Sequence, residues 1–98
     1  MTFTVFLEMT VRPDADDAAE IAREVLSQTG AREGIESLEV LVDDADPLKW
    51  VVIEKWASVE ARNAYVAWRA SPEGANRLGD IMATPPVFRT FESTVPLT

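Results

Sequence analysis

The sequence predicts an α+β fold built on one antiparallel sheet. Stretches of apolar residues with period two and stretches with helical spacing follow one another in the order β-α-β-β-α-β. A short acidic turn, DDADP, joins the two middle strands as a hairpin, and 98 residues at 47% hydrophobic content leave room for one compact domain, residues 1–98. This is the ferredoxin-like split βαβ arrangement, with both helices on one face of the sheet and here an extra short helix before the last strand.

The first strand is read from Phe3, Val5, Leu7, Met9 and Val11 on one side and Thr4, Phe6, Glu8, Thr10 and Arg12 on the other. Pro13 ends it. PDADDAAEIAREVLSQTG then has acids in its first turn, an apolar stripe of Ala18, Ile21, Ala22, Val25 and Leu26, and Gly30 after the last apolar position. Ile35 to Val42 and Lys49 to Trp56 are the second and third strands, the latter rich in β-branched and aromatic residues. Ser58 is a good N-cap for a helix on which Ala61, Ala64, Tyr65 and Trp68 recur at helical spacing, with Tyr65 and Trp68 facing inward. Ser71 and Pro72 open a further short helix carrying Leu78, Ile81 and Met82 to about Ala83, where TPP stops it. Val87 to Val95 alternates again and reads as the last strand.

Helices on one face leave the other face bare, yet both faces of the first, third and fourth strands are apolar. Phe6 stands beside Leu7, Trp50 and Val52 beside Val51 and Ile53, and Phe88 beside Phe91. Such a patch is best covered by a second copy, giving a homodimer whose sheets close as a barrel.

A formal charge of −8 excludes a phosphate-backbone partner, which needs a basic footprint, so neither nucleic acid nor an anionic membrane is expected as a partner. The opening MTFTVFLEMTVRPD lacks a basic region and alternates, so no secretory signal is expected and a cytoplasmic protein is. Absence of Cys and His removes thiolate and imidazole chemistry. The acids of DADD open a helix and those of DDAD form a turn without a calcium loop's glycine and distal glutamate, so no metal is expected. No phosphate loop or catalytic triad is present.

The stretch REGIESLEVLVDDADPLKWVVIEKWASVEARNAYVAWRASPE resembles the middle of the antibiotic biosynthesis monooxygenase family of dimeric α/β barrels. The likeness rests on the glycine before the second strand, Ser37 to Val40, the Asp-rich turn ending in Pro47, the Glu54-x-Trp56 pair, the Ser-capped helix with Ala61 and the ASPE step, and it runs from about Phe3 to Glu92. Many members carry a histidine near the end of the middle helix; Trp68 stands there in this chain, and the lack of any histidine argues against haem degradation.

The resemblance implies a cofactor-independent oxygenase, in which the anion of an electron-rich phenol, hydroquinone or anthrone reduces molecular oxygen directly. It would be a small apolar or aromatic molecule held between sheet and helices. Trp68 and Tyr65 are then candidates for the pocket wall and its N–H and O–H donors, Asn63 for an oxyanion donor, and Arg89 for an electrostatic anchor. Phe6, Glu54, Leu78, Met82 and Phe88 are candidate substrate contacts. Each has a structural alternative. Tyr65 and Trp68 also suit a core, Asn63 lies about 200° around the helix from Tyr65, and Arg89 can pair with Glu54 or Glu8. Trp56 is a packing residue, and which sheet face meets the helices is open. A non-catalytic ligand-binding barrel and a polyketide cyclase remain as alternatives on the same scaffold.

Overall fold

A computed structural model describes residues 2–98. The elements are β1 (Phe3–Thr10), α1 (Ala18–Gly30), β2 (Ile35–Val42), β3 (Lys49–Trp56), α2 (Val59–Ala70), two 3₁₀ turns at Pro72–Gly74 and Leu78–Ile81, and β4 (Val87–Phe91). The strands form one antiparallel sheet in the order β2-β3-β1-β4, the ferredoxin-like topology.

Register decides the open question of faces. Leu7 pairs with Val52 and Phe88, and Val5 with Glu54 and Thr90, so these residues share one face. Val5, Leu7, Met9, Val52, Glu54 and Trp56 on that face are buried. Ile21 and Val25 of α1 pack with Leu7, Met9 and Val52, and a second cluster of Phe3, Val5 and Trp56 is covered by Val59, Ala61 and Tyr65 of α2. The helices therefore cover the face of Leu7 and Glu54. Phe6, Val51, Ile53, Arg89 and Phe91 lie on the other, where Phe6 and Phe91 meet edge to face at 5.1 Å.

The two helices treat the sheet differently. Ala18, Ile21, Ala22, Val25 and Thr29 of α1 are buried, the alanines letting the helix approach closely, whereas α2 buries no residue. Ser58 caps α2 by accepting from the Ala61 N–H at 3.1 Å. In the hairpin, Asp43 Oδ1 accepts from the Ala45 and Asp46 N–H groups at 2.8 and 3.2 Å, and Asp46 Oδ1 from Leu48 at 3.0 Å. The carboxylates there serve the turn itself.

Two expectations are corrected. The last strand ends at Phe91, short of Val95, because Thr4 is its partner there and β1 has little chain left to continue the ladder. The extra helix is two 3₁₀ turns: Asn76 interrupts it, its Oδ1 accepting from the Leu78 N–H at 2.9 Å. Met82 leaves the second turn to bridge Val11, and Ile81 enters the core.

Gly34, at φ +90°, lets the chain turn into β2 directly beneath α2. A Cβ there would stand 2.5 Å from Ala61 Cβ, whereas one at Gly79 would meet nothing within 4 Å. Gly34→Ala is expected to lower the unfolding free energy by about 2 kcal/mol, through left-handed strain and overpacking. Gly79→Ala should stay within about 0.5 kcal/mol of the parent in the same urea titrations.

Candidate functional site

Because α2 stands away from the sheet, a cleft of about 620 Å³ opens beneath it. That volume falls within the roughly 300–1,000 Å³ range of small-molecule sites. Leu7 and Glu54 form its floor, Val25 and Leu26 one wall, Arg62, Tyr65, Val66 and Arg69 the roof, and Leu78, Met82 and Phe88 the remaining side. A groove of about 660 Å³ near the hairpin has Asp43, Asp44 and Lys49 at the surface and includes no buried ionisable side chain.

Glu54 sits on the cleft floor with 3% of its surface exposed. Alternation puts Trp56 on the same face, and its indole Nε1–H donates to Glu54 Oε1 at 2.9 Å, leaving Oε2 free for a ligand. Burial raises the carboxyl pKa above its ordinary value; the Trp56 hydrogen bond and the charges of Arg62 and Arg69 oppose that rise without cancelling it.

The roof is a stripe at positions i, i+3, i+4 and i+7: Arg62, Tyr65, Val66 and Arg69. Arg69 ties α2 to its neighbours. Its Nε–H donates to Tyr65 Oη, Nη1 donates to Gln28 Oε1 and the Gly74 carbonyl, and Nη2 donates to the Val25 carbonyl and Thr29 Oγ1, at 2.9 to 3.3 Å. The Tyr65 and Thr29 hydroxyls also share a hydrogen bond of 2.9 Å. Gly74 permits this junction, since a Cβ on it would fall 2.6 Å from Arg69 Cα and against the Trp68 carbonyl. Arg62 is different. Its Nε is the one buried side-chain nitrogen or oxygen without a hydrogen-bond partner among the described residues, and its guanidinium lies 5.6 Å from the Phe88 ring.

Of the residues singled out from the sequence, Glu54, Tyr65, Leu78, Met82 and Phe88 meet in the cleft. Trp68 lies behind Tyr65, its ring between the guanidinium groups of Arg32 at 4.2 Å and Arg69 at 4.7 Å. Asn63 is exposed and off the cleft wall. Arg89 and Phe6 occupy the opposite sheet face, where Arg89 Nη1 stands 4.0 Å from Glu8 Oε1. Arg62 and Arg69 were not among the candidates, because arginines on a short helix are ordinarily assigned to solvent. The clue was their spacing around Tyr65 and Val66.

A ferredoxin-like sheet with a cleft under one helix, lined by apolar residues, a buried carboxylate and two guanidiniums, places the chain in the ferredoxin-like α+β class. The chain belongs to the antibiotic biosynthesis monooxygenase family, whose model matches residues 2–75. Solved structures agree in fold at low identity. A conserved protein from Methanosarcina mazei Go1 is 12% identical with a TM-score of 0.82, covering 96% of this chain and 94% of that one. Rv0793 from Mycobacterium tuberculosis is 20% identical with a TM-score of 0.76 over 100% of both chains. SnoaB, a cofactor-independent oxygenase from Streptomyces nogalater, is 15% identical with a TM-score of 0.81, covering 98% of this chain and 96% of that one. No curated protein matches the sequence significantly.

The raised Glu54 pKa has a measurable consequence. Folded protein holds the proton more tightly than unfolded chain, so this group's contribution to stability is full below the unfolded pKa and is lost as pH rises through the folded one. Glu54→Gln removes the titration while keeping an acceptor for the Trp56 indole. The unfolding free energy of the parent minus that of the variant should decline as pH rises from the ordinary carboxylate range through the folded pKa; a difference that rises with pH would contradict the burial account.

Proposed function

We propose that the protein is a cofactor-independent monooxygenase acting on an electron-rich aromatic, such as an anthrone or hydroquinone, bound in the cleft beneath α2. The observation that carries this is a single buried carboxylate with a free oxygen on the floor of a chamber of small-molecule size whose lining is mostly apolar. Family membership supports the class of reaction.

Glu54 Oε2 takes the proton from the substrate's acidic C–H or O–H, and burial, by raising its pKa, makes it a stronger base than an exposed carboxylate. The resulting enolate or phenolate passes one electron to O₂, and the substrate radical and superoxide join in a C–O bond. The peroxide takes up the proton, and loss of water leaves a carbonyl: a CH₂ group and O₂ become C=O and H₂O. Apolar walls exclude water from the radical pair. Trp68 is a positioning residue, since its stack on Arg69 fixes the guanidinium that holds Tyr65. Asn63 and Arg89 have no part in this step.

The working unit is a homodimer closed through the outer sheet face. Leu41, Val87 and Phe91 are 48%, 57% and 39% exposed there, beside Phe6, Val51 and Ile53. Sedimentation is expected to give twice the chain mass for the parent and a single chain for Ile53→Glu.

A second reading, ligand binding without turnover, is favoured by the fact that every N–H of Arg69 is bonded within the protein. A polyketide cyclase on this scaffold would likewise consume no oxygen. Oxygen consumption by metal-free protein with a panel of anthrones and hydroquinones separates them. Turnover should fall about 10²- to 10⁴-fold in Glu54→Gln and stay unchanged in Arg77→Ala, whose ion pair with Glu24 is exposed. Thermal stabilisation by those compounds with no oxygen consumed would sink the oxygenase and leave a binding protein.

A further inference from the structure

The cleft combines features that the oxygenase reading does not by itself require. Two guanidiniums line it, and neither is within 4.0 Å of a carboxylate, whereas three arginines outside the cleft do meet an acid: Arg12 with Asp14, Arg77 with Glu24 and Arg89 with Glu8. The only acid on the cleft wall is Glu54, already bonded to Trp56 through one oxygen. Arg69 places all its donors on neutral acceptors, so no carboxylate hydrogen-bonds to it, and Glu54 meets its charge only at a distance. Arg62 carries a charge and an unused, buried Nε–H. Beside it the Phe88 ring, 52% exposed, offers a flat apolar surface at the cleft margin.

An unpaired buried donor costs stability unless something accepts from it. A neutral apolar ligand would leave Arg62 Nε as it is, and a cation would be repelled by both arginines. A planar ligand with an ionised oxygen meets each requirement at once, the oxygen accepting from Arg62 and the ring lying on Phe88. We propose that the cleft is an anion-selective subsite: Arg62 Nε–H receives the oxyanion of an aromatic ligand, a phenolate or a carboxylate, whose ring stacks against Phe88. This rests on the cleft being the ligand site, as above, and narrows its ligand to acidic aromatics.

The formal charge of −8 opposes anions only at long range, because exposed charges are screened beyond about 8 Å at physiological salt. The contact with Arg62 is local and partly dry, where screening is weak. The nearer charge decides.

The test uses naphthalene-2-carboxylate and its neutral counterpart naphthalene-2-carboxamide, titrated calorimetrically into the protein at neutral pH. The acid should bind about tenfold more tightly than the amide, about 1.4 kcal/mol. Arg62→Gln should bring the acid to the level of the amide while leaving the amide unchanged, Arg62→Lys should keep part of the preference, and Glu54→Gln should preserve or increase it. Circular dichroism checks that each variant is folded, and the acid-to-amide ratio in the parent alone decides the matter if Arg62→Gln does not fold. Equal affinities in the parent, no binding of either probe, or a preference surviving in folded Arg62→Gln overturns the proposal. 4-Nitrophenol identifies the source of the oxyanion: a bound pKa lowered by about one unit or more, read from phenolate absorbance, marks a phenolate site, and acid preference without that shift marks a carboxylate site. Anion preference without oxygen consumption sinks the oxygenase and leaves this subsite standing; oxygen consumption without anion preference does the reverse.

Discussion

Arg69 sets the geometry on which the cleft depends. By donating to Tyr65, Thr29, Gln28 and the carbonyls of Val25 and Gly74, it binds α2 to the end of α1 and to the first 3₁₀ turn. On the sheet α2 rests through Val59, Ala61 and Tyr65 against Phe3, Val5 and Trp56, and none of its residues is fully buried. The chamber lies beside that contact. Trp68 reinforces the clamp from outside, and Gly74 gives the room that a side chain would fill.

The fold was legible because its signals are local and of high contrast. Flanking turn residues and strand-type composition bounded β2 and β3 to the residue, Ser58 marked the start of α2, and the Asp side chains of the hairpin bond the backbone as their chemistry dictates. The failures were of longer range. The end of β4 depends on where its partner β1 begins, which no pattern within Val87 to Val95 can reveal. The choice of face turned on register, since both faces are apolar, and it carried Arg89 and Phe6 away from the cleft.

The site was half legible for a related reason. Glu54, Tyr65, Leu78, Met82 and Phe88 could be named because aromatics, apolar residues and a lone acid among tryptophans attract notice. Arg62 and Arg69 could not, because a guanidinium on a helix is usually solvated. Here two guanidiniums share the cleft-facing stripe of α2 with Tyr65 and Val66, giving the cleft a sign opposite to that of the chain as a whole.

The way α2 is fastened also bears on motion. No residue of α2 is fully buried, and its contact with the sheet is confined to Val59, Ala61 and Tyr65 against the cluster of Phe3, Val5 and Trp56. It therefore has less apolar area to lose on lifting than α1, and its opening is separable from global unfolding. Hydrogen exchange in Val59–Ala70 should then outpace that of α1, whose inner face belongs to the core. The hinges would be the segments that flank α2, at Ala57–Ser58 and Ser71, and the same excursion would open the cleft from the side of the roof.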